Sequence, residues 1–301
     1  MGVSRRAAGS VAWAICGLLA ASGPAAAQEP STKQPAGSTA AKRDPRTMDL
    51  PVFSAVAERT LPPSDDDSEL SLSIGYELSR GEFNDSDRTE IRYVPLTLKY
   101  QNGPWIAGLT VPYIRIQGPG DVVRGADGNL VIASDTQGRT TESGPGDVVA
   151  ALSYTFYPSS SKLPLLELTG RVKFPTADED EGLGTGETDY TVQADLSKRF
   201  GAFTSFATLG YRVLGDPSGI DLDDGFLASL GFGYRFSRRL NLGLAFDYRE
   251  ASTDGTDDSR ELVPYTSIRV SDSLTLGTYG VVVLSDSSSD LALGVTARVT
   301  W

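Results

Sequence analysis

The side chains that do most protein chemistry are nearly missing from this chain. It has no histidine and a single cysteine, Cys16. Without imidazole there is no serine–histidine or histidine–aspartate arrangement and no histidine metal ligand. Cys16 lies inside an apolar leader segment, so the mature chain also lacks thiol catalysis and thiolate metal sites. Carboxylates, hydroxyls, lysines and arginines remain. Catalysis by a carboxylate pair or by Ser–Lys is formally open, yet no spacing singles out such a pair. The acidic run Asp178-Glu179-Asp180-Glu181, with Gly182, Gly184 and Gly186 behind it, invites a calcium reading. Its spacing does not match an EF-hand loop, because the required glycine and terminal glutamate cannot be laid over it. The plain expectation is a solvated external loop, and a weak divalent site bridging to lipopolysaccharide phosphates is the functional alternative. No Gly-x-Gly-x-x-Gly pattern opens a helix. We therefore expect no catalytic, cofactor or metal residues, and the chain reads as a non-enzyme.

The remaining charged residues are placed by elements of period two. Ser68 to Arg80 alternates almost without fault, with Leu70, Leu72, Ile74, Tyr76 and Leu78 on one row and small or polar residues on the other. The same beat recurs at Val94–Tyr100, Trp105–Tyr113, Val148–Phe156, Leu166–Phe174, Tyr190–Leu196, Phe203–Val213, Phe226–Tyr234 and Leu240–Tyr248. Glu261–Val270 and Leu274–Val283 are weaker in phase, and Asp290–Trp301 closes the series. One apolar and one polar row describe a strand between two solvents. Ile91 and Tyr93 are out of phase with Val94 and Pro95 lies beside them, which predicts a bulge there.

Three patterns separate a membrane barrel from a soluble sandwich. Charges inside the strands fall on the small or polar row: Lys99, Glu167, Arg171, Lys173, Asp195, Arg212, Arg235, Asp247, Arg249, Arg269 and Arg298. An arginine or lysine on the lipid face would cost about 2–4 kcal/mol at midplane, fading toward the interfaces, and Arg92 and Arg115 lie toward strand ends. Aromatics of the apolar row gather near strand ends, as two interfacial girdles would. Connections alternate short and long, as periplasmic turns and external loops do. The fold class expected is all-β: a transmembrane antiparallel up-and-down β-barrel of about twelve strands.

Residues 1–27 read as a cleaved Sec signal peptide: Arg5 and Arg6, an apolar run from Val11 to Ala20, then Ala25-Ala26-Ala27. Residues 28–67 read as a disordered periplasmic linker rich in Pro, Ser, Thr, Ala and Lys, and residues 68–301 as the barrel. This places the protein in the outer membrane of a Gram-negative bacterium. Lipid, lipopolysaccharide and the barrel-assembly machinery are its expected partners, with Trp301 as the assembly signal. The net charge of −12 and the lack of a basic cluster argue against nucleic acid.

The stretches Gly144–Pro158 (GPGDVVAALSYTFYP), Lys173–Tyr190 (KFPTADEDEGLGTGETDY), Ser197–Tyr211 (SKRFGAFTSFATLGY) and Gly215–Asp221 (GDPSGID) resemble the family called MetA-pathway of phenol degradation. That resemblance implies an outer-membrane barrel that takes up a small aromatic or other hydrophobic compound. It brings no catalytic residues with it.

The function expected is a channel or transporter for passive uptake of small aromatic or hydrophobic molecules. The alternative is a structural or surface-interaction barrel without transport. The lumen would be lined by Lys99, Arg171, Lys173, Gln193, Asp195, Phe206, Arg212, Arg235, Asp247 and Arg298. Ser229, Gly231, Gly233, Gly243, Ala245, Ala292, Gly294 and Thr296 form an inward row of small residues, which predicts open space beside them. Across neighbouring strands, Arg171 or Lys173 is expected to pair with Asp195.

Overall fold

Backbone amides in hydrocarbon find no water, so strands can cross a bilayer only if they close on themselves. A computed structural model of the protein shows that closure. It describes residues 68–82, 88–119, 122–124, 130–132, 139–160, 162–217, 221–252, 258–284 and 291–301. The segments read above as signal peptide and linker lie outside the described residues.

The strands are β1 (Ser68–Glu82), β2 (Arg88–Asn102), β3 (Trp105–Pro119), β4 (Val122–Arg124), β5 (Leu130–Ile132), β6 (Arg139–Pro145), β7 (Val148–Phe156) and β8 (Leu165–Phe174). They continue as β9 (Asp189–Phe200), β10 (Phe203–Val213), β11 (Gly225–Arg235), β12 (Leu240–Arg249), β13 (Ser259–Arg269), β14 (Leu274–Val283) and β15 (Leu291–Thr300). β4 and β5 pair only with each other. β6 and β7 both pair with β3 and together make one stave, so the closed barrel has twelve antiparallel staves. β1 closes it against β15, from Ser71↔Thr300 to Arg80↔Leu291. Beyond that ladder the Trp301 N–H donates to the Leu70 carbonyl at 2.9 Å and the Leu70 N–H to the Trp301 carbonyl at 3.2 Å.

The alternation in sequence becomes two faces. Along β1, Leu72, Ile74 and Tyr76 are exposed outward while Ser71, Ser73, Glu77 and Ser79 are buried inward. The outward belt continues through Leu98, Leu109, Leu168, Leu209, Leu230 and Val295. Aromatic pairs cap it at both rims. Trp105–Tyr154 and Phe203–Tyr234 mark the short-turn rim, with centroids 4.8 Å and 4.7 Å apart, and Tyr211–Phe226 the opposite rim at 4.9 Å. All three are direct cross-strand partners, the geometry that makes aromatic pairs stabilising.

Gly103 and Pro104 alone join β2 to β3, and Gly201 and Ala202 join β9 to β10. Gly103 and Gly201 have φ of 54° and 66°, the left-handed conformation that tight hairpins demand.

The expected bulge near Val94 is not there. β2 keeps one register with β1 and with β3 along its whole length, so Ile91, Tyr93 and Pro95 simply share the inward row. The bulge is at Gly146-Asp147. β3 pairs Tyr113 with Pro145 but Thr110 with Val149, so one extra residue enters the fourth stave between β6 and β7.

The outward belt generates a direct test. Leu230 is central on β11 and exposed, so Leu230→Arg should lower the stability of the barrel in lipid vesicles by about 2–4 kcal/mol. A urea midpoint unchanged by this substitution would mean that the belt does not meet hydrocarbon.

Candidate functional site

The interior of the barrel differs from end to end. At the long-loop end, residues 175–188 between β8 and β9 turn inward. Leu183 at their centre is only 2 % exposed and packs with Ile91, Ile114 and Ile116, flanked by Tyr93 and Ala177. The fit is close: a Cβ added at Gly144 would lie 2.7 Å from Leu183 Cδ1. Positive φ at Gly182 and Gly186, 68° and 73°, lets the chain enter and leave this seat.

The bulge supplies the anchor. It aims the Asp147 side chain at the loop, where Oδ1 accepts the N–H groups of Thr176 and Ala177 at 3.0 Å each. Lys173 sits between two carboxylates, its Nζ 2.8 Å from Asp189 Oδ2 and 3.4 Å from Asp147 Oδ2, and it donates to Thr185 Oγ1 at 2.6 Å. Lys173 is 2 % exposed. One buried ammonium therefore holds both ends of the inward loop. The acidic run above it stays in solvent, and Asp178 Oδ1 accepts the Asp180 and Glu181 N–H groups as a turn former. Among the described residues no group of three or more Asp or Glu side chains is placed to hold a metal.

Small inward residues on β11, β12 and β15 do not face open space. Phe206, Tyr265 and Tyr279 lie across Gly231, Gly243 and Gly294, their direct partners in the neighbouring strands. A Cβ at those glycines would stand 2.3 Å, 2.1 Å and 2.0 Å from ring carbons. Each glycine is thus the seat of an aromatic ring, as in edge-glycine rescue. With Ala245, Val263, Val281 and Ala292 the rings form a second apolar cluster inside the barrel. Tyr279 also donates its hydroxyl to Glu77 Oε2 at 2.8 Å.

Between the clusters the walls are polar and paired. Thr155 donates to Glu167 at 3.0 Å; Gln193 and Thr208 donate to Asp195 at 2.7 Å and 2.6 Å. Arg249 bridges to Glu261 at 2.9 Å, Ser259 donates to the same carboxylate, and Arg212 donates to the Glu250 carbonyl at 2.9 Å. Lys173 does not pair with Asp195, because the register sets it opposite Asp189 and sets Asp195 opposite Glu167. Arg171 is half-buried in the same wall, and Asp247 is half-buried across from Ser229 and Glu261.

At the short-turn end lies a cavity of about 240 Å³ lined by Lys99, Arg298, Arg269, Glu69, Asp272 and Gln101, among others. Arg298 Nε donates to Ser73 Oγ there at 3.3 Å. Arg235 is exposed at the rim, where Nη2 donates to the Gly201 carbonyl at 3.3 Å. The ten residues named as lumen-lining thus fall into four groups: a wall, a loop anchor, an aromatic seat and a mouth. Reasoning from sequence missed Leu183, Asp147, Tyr265 and Tyr279. Only Asp147, in the Gly146-Asp147 step, carried a local signal.

The model for the family described as MetA-pathway of phenol degradation matches residues 83–295. No curated protein matches the chain. Among solved structures, the COG4313 outer membrane channel from Pseudomonas putida F1 superposes with a TM-score of 0.58 at 16% identity, covering 80% of this chain and 100% of that one. The KdgM porin in complex with oligogalacturonate gives 0.46 at 10% identity, with 76% and 98% covered. The P. putida toluene transporter TodX gives 0.43 at 11% identity, with 78% and 89% covered. The first likeness shows the fold, a closed antiparallel β-barrel.

The Lys173 anchor makes a prediction. Lys173→Met leaves Asp147 and Asp189 buried without their cation and should destabilise the inward loop by about 3–5 kcal/mol. In the folded barrel, a glutamate-specific protease should then cut at Glu179, Glu181 or Glu187 faster than in the parent. Adding Asp147→Asn and Asp189→Asn should restore part of the protection; equal protection in Lys173→Met and parent would refute the anchor.

Proposed function

Because the chain belongs to the MetA-pathway of phenol degradation family, we propose that it is a passive outer-membrane channel for small aromatic or other hydrophobic molecules. One observation carries the reading: two apolar clusters lie inside a barrel whose inward rows are otherwise polar. Leu183 with its three isoleucines stands at the external end, Phe206 and Tyr265 follow on the far wall, and the polar cavity opens at the periplasmic mouth. Leu183 belongs to a loop and not to the wall, so its departure would bare Ile91, Ile114 and Ile116 as apolar contacts for a hydrophobic solute leaving water.

In this proposal the loop 175–188 is the barrier. Passage requires Leu183 to leave its seat, and the Lys173 anchor returns it. The charged walls stay paired throughout, so the barrel holds its shape while the loop moves. The polypeptide performs no covalent chemistry. Residues 1–27 serve as the export signal, residues 28–67 as a periplasmic linker and Trp301 as the signal read by the barrel-assembly machinery.

Planar bilayers test this. The purified protein should conduct ions, a small aromatic solute should interrupt the current, and Leu183→Gly should raise conductance severalfold. Absence of conductance in both parent and Leu183→Gly, with no effect of the aromatic solute, would replace the channel with the structural barrel.

A further inference from the structure

The outer face carries neighbouring arginines at one rim. Arg80, Arg92 and Arg115 all point outward near the external ends of β1, β2 and β3. Arg80 and Arg92 keep 53% and 45% of their side-chain surface exposed. They stand just beyond the apolar belt: Val94 and Tyr113 are the next outward residues toward midplane, with Leu96, Leu98, Leu109 and Val111 below them. Two residues of strand is about 7 Å, which sets the guanidiniums at headgroup height above hydrocarbon.

Their arrangement leaves charge over. Glu90 accepts from Arg80 Nε at 2.9 Å and from Arg92 Nη2 at 2.7 Å, so one carboxylate serves two guanidiniums. Arg115 is the direct cross-strand partner of Arg92. Among the described residues no carboxylate pairs with it. Like charges directly opposite on a sheet face are destabilising, and at a lipid interface neither can turn inward, since Ile91, Ile114 and Ile116 fill the other side of the same strands. A dianion seated between Arg92 and Arg115 would remove that repulsion, and planar guanidiniums suit the oxygens of a phosphate.

We propose that Arg92 and Arg115, with Arg80 held beside them by Glu90, form a binding site for a phosphate group of the outer-leaflet glycolipid, its acyl chains lying along the apolar rows of β2 and β3. The inference rests on the barrel's place in the outer membrane and is independent of transport. A silent channel would leave it standing.

The test is binding of bis-phosphorylated lipid A to the purified, detergent-folded protein by native mass spectrometry. Parallel arms use the same lipid without phosphates and inorganic phosphate as competitor. The parent should retain bis-phosphorylated lipid A through detergent exchange. At about 1 kcal/mol for each interfacial arginine, Arg92→Ala with Arg115→Ala should weaken retention about thirtyfold. Arg92→Lys with Arg115→Lys should recover part of it, and heat-modifiable gel migration checks that each variant is folded. Equal retention by parent and double-alanine variant, or equal retention of the phosphate-free lipid, would overturn the site. Displacement of lipid A by inorganic phosphate at equal concentration would also overturn it, by showing a free-anion site.

Discussion

Every feature of this protein follows from one constraint: the backbone must be hydrogen-bonded to itself inside the membrane. The pairing of β1 with β15 is where that constraint is met, because an open edge in hydrocarbon would cost several kcal/mol for each unmatched amide. Closure then dictates the rest. Period two follows because successive side chains of a closed wall face lipid and lumen in turn. The charge placement follows as well, since cations tolerated inside would be expelled from the outer row except at its rims.

Closure also creates an interior that has to be filled or left wet, and the chain uses two devices. On one wall, glycines leave room for Phe206, Tyr265 and Tyr279 to lie flat across their neighbours, which thickens the wall and places aromatic rings on the lumen side. On the other, a bulge turns Asp147 toward the loop, and Lys173 draws Asp147, Asp189 and Thr185 together around the entry of Leu183. The first device is fixed by strand register. The second depends on one buried ammonium, which makes it the part of the interior most sensitive to a single substitution. At the mouth neither device operates, and the cavity stays polar.

The outward half of this architecture was legible in sequence, and the inward half much less so. Leu70, Leu72, Ile74 and Tyr76 reveal their strand because lipid admits only apolar residues on that row, so the signal is clean. The lumen accepts polar and apolar residues alike. Tyr265 and Tyr279 therefore carry no local signal that separates lumen from lipid, and β13 and β14 lose their phase for the same reason. Ile91 and Tyr93 suggested a bulge because they are apolar on the inward row. They are there to receive Leu183, a contact between segments far apart in the chain that no local pattern encodes. The glycine row was read as free space, when its purpose is to accommodate rings from adjacent strands. Arg171 or Lys173 was matched with Asp195 by chemistry alone; register, set by the closed ladder, gave Lys173 Asp189, and of the two it is Arg171 whose charge acts on Asp195.

In the proposed channel nothing passes unless Leu183 leaves its seat. Cysteines replacing Gly144 and Leu183, whose side chains face each other in the closed barrel, would lock the loop when bridged by a short bis-methanethiosulfonate reagent, in a protein whose only natural cysteine is Cys16. Single-channel recording of the bridged variant, before and after reductant, measures this directly. The expected result is no current when bridged and restored current on reduction. A locked protein that conducts as well as the reduced one would contradict it.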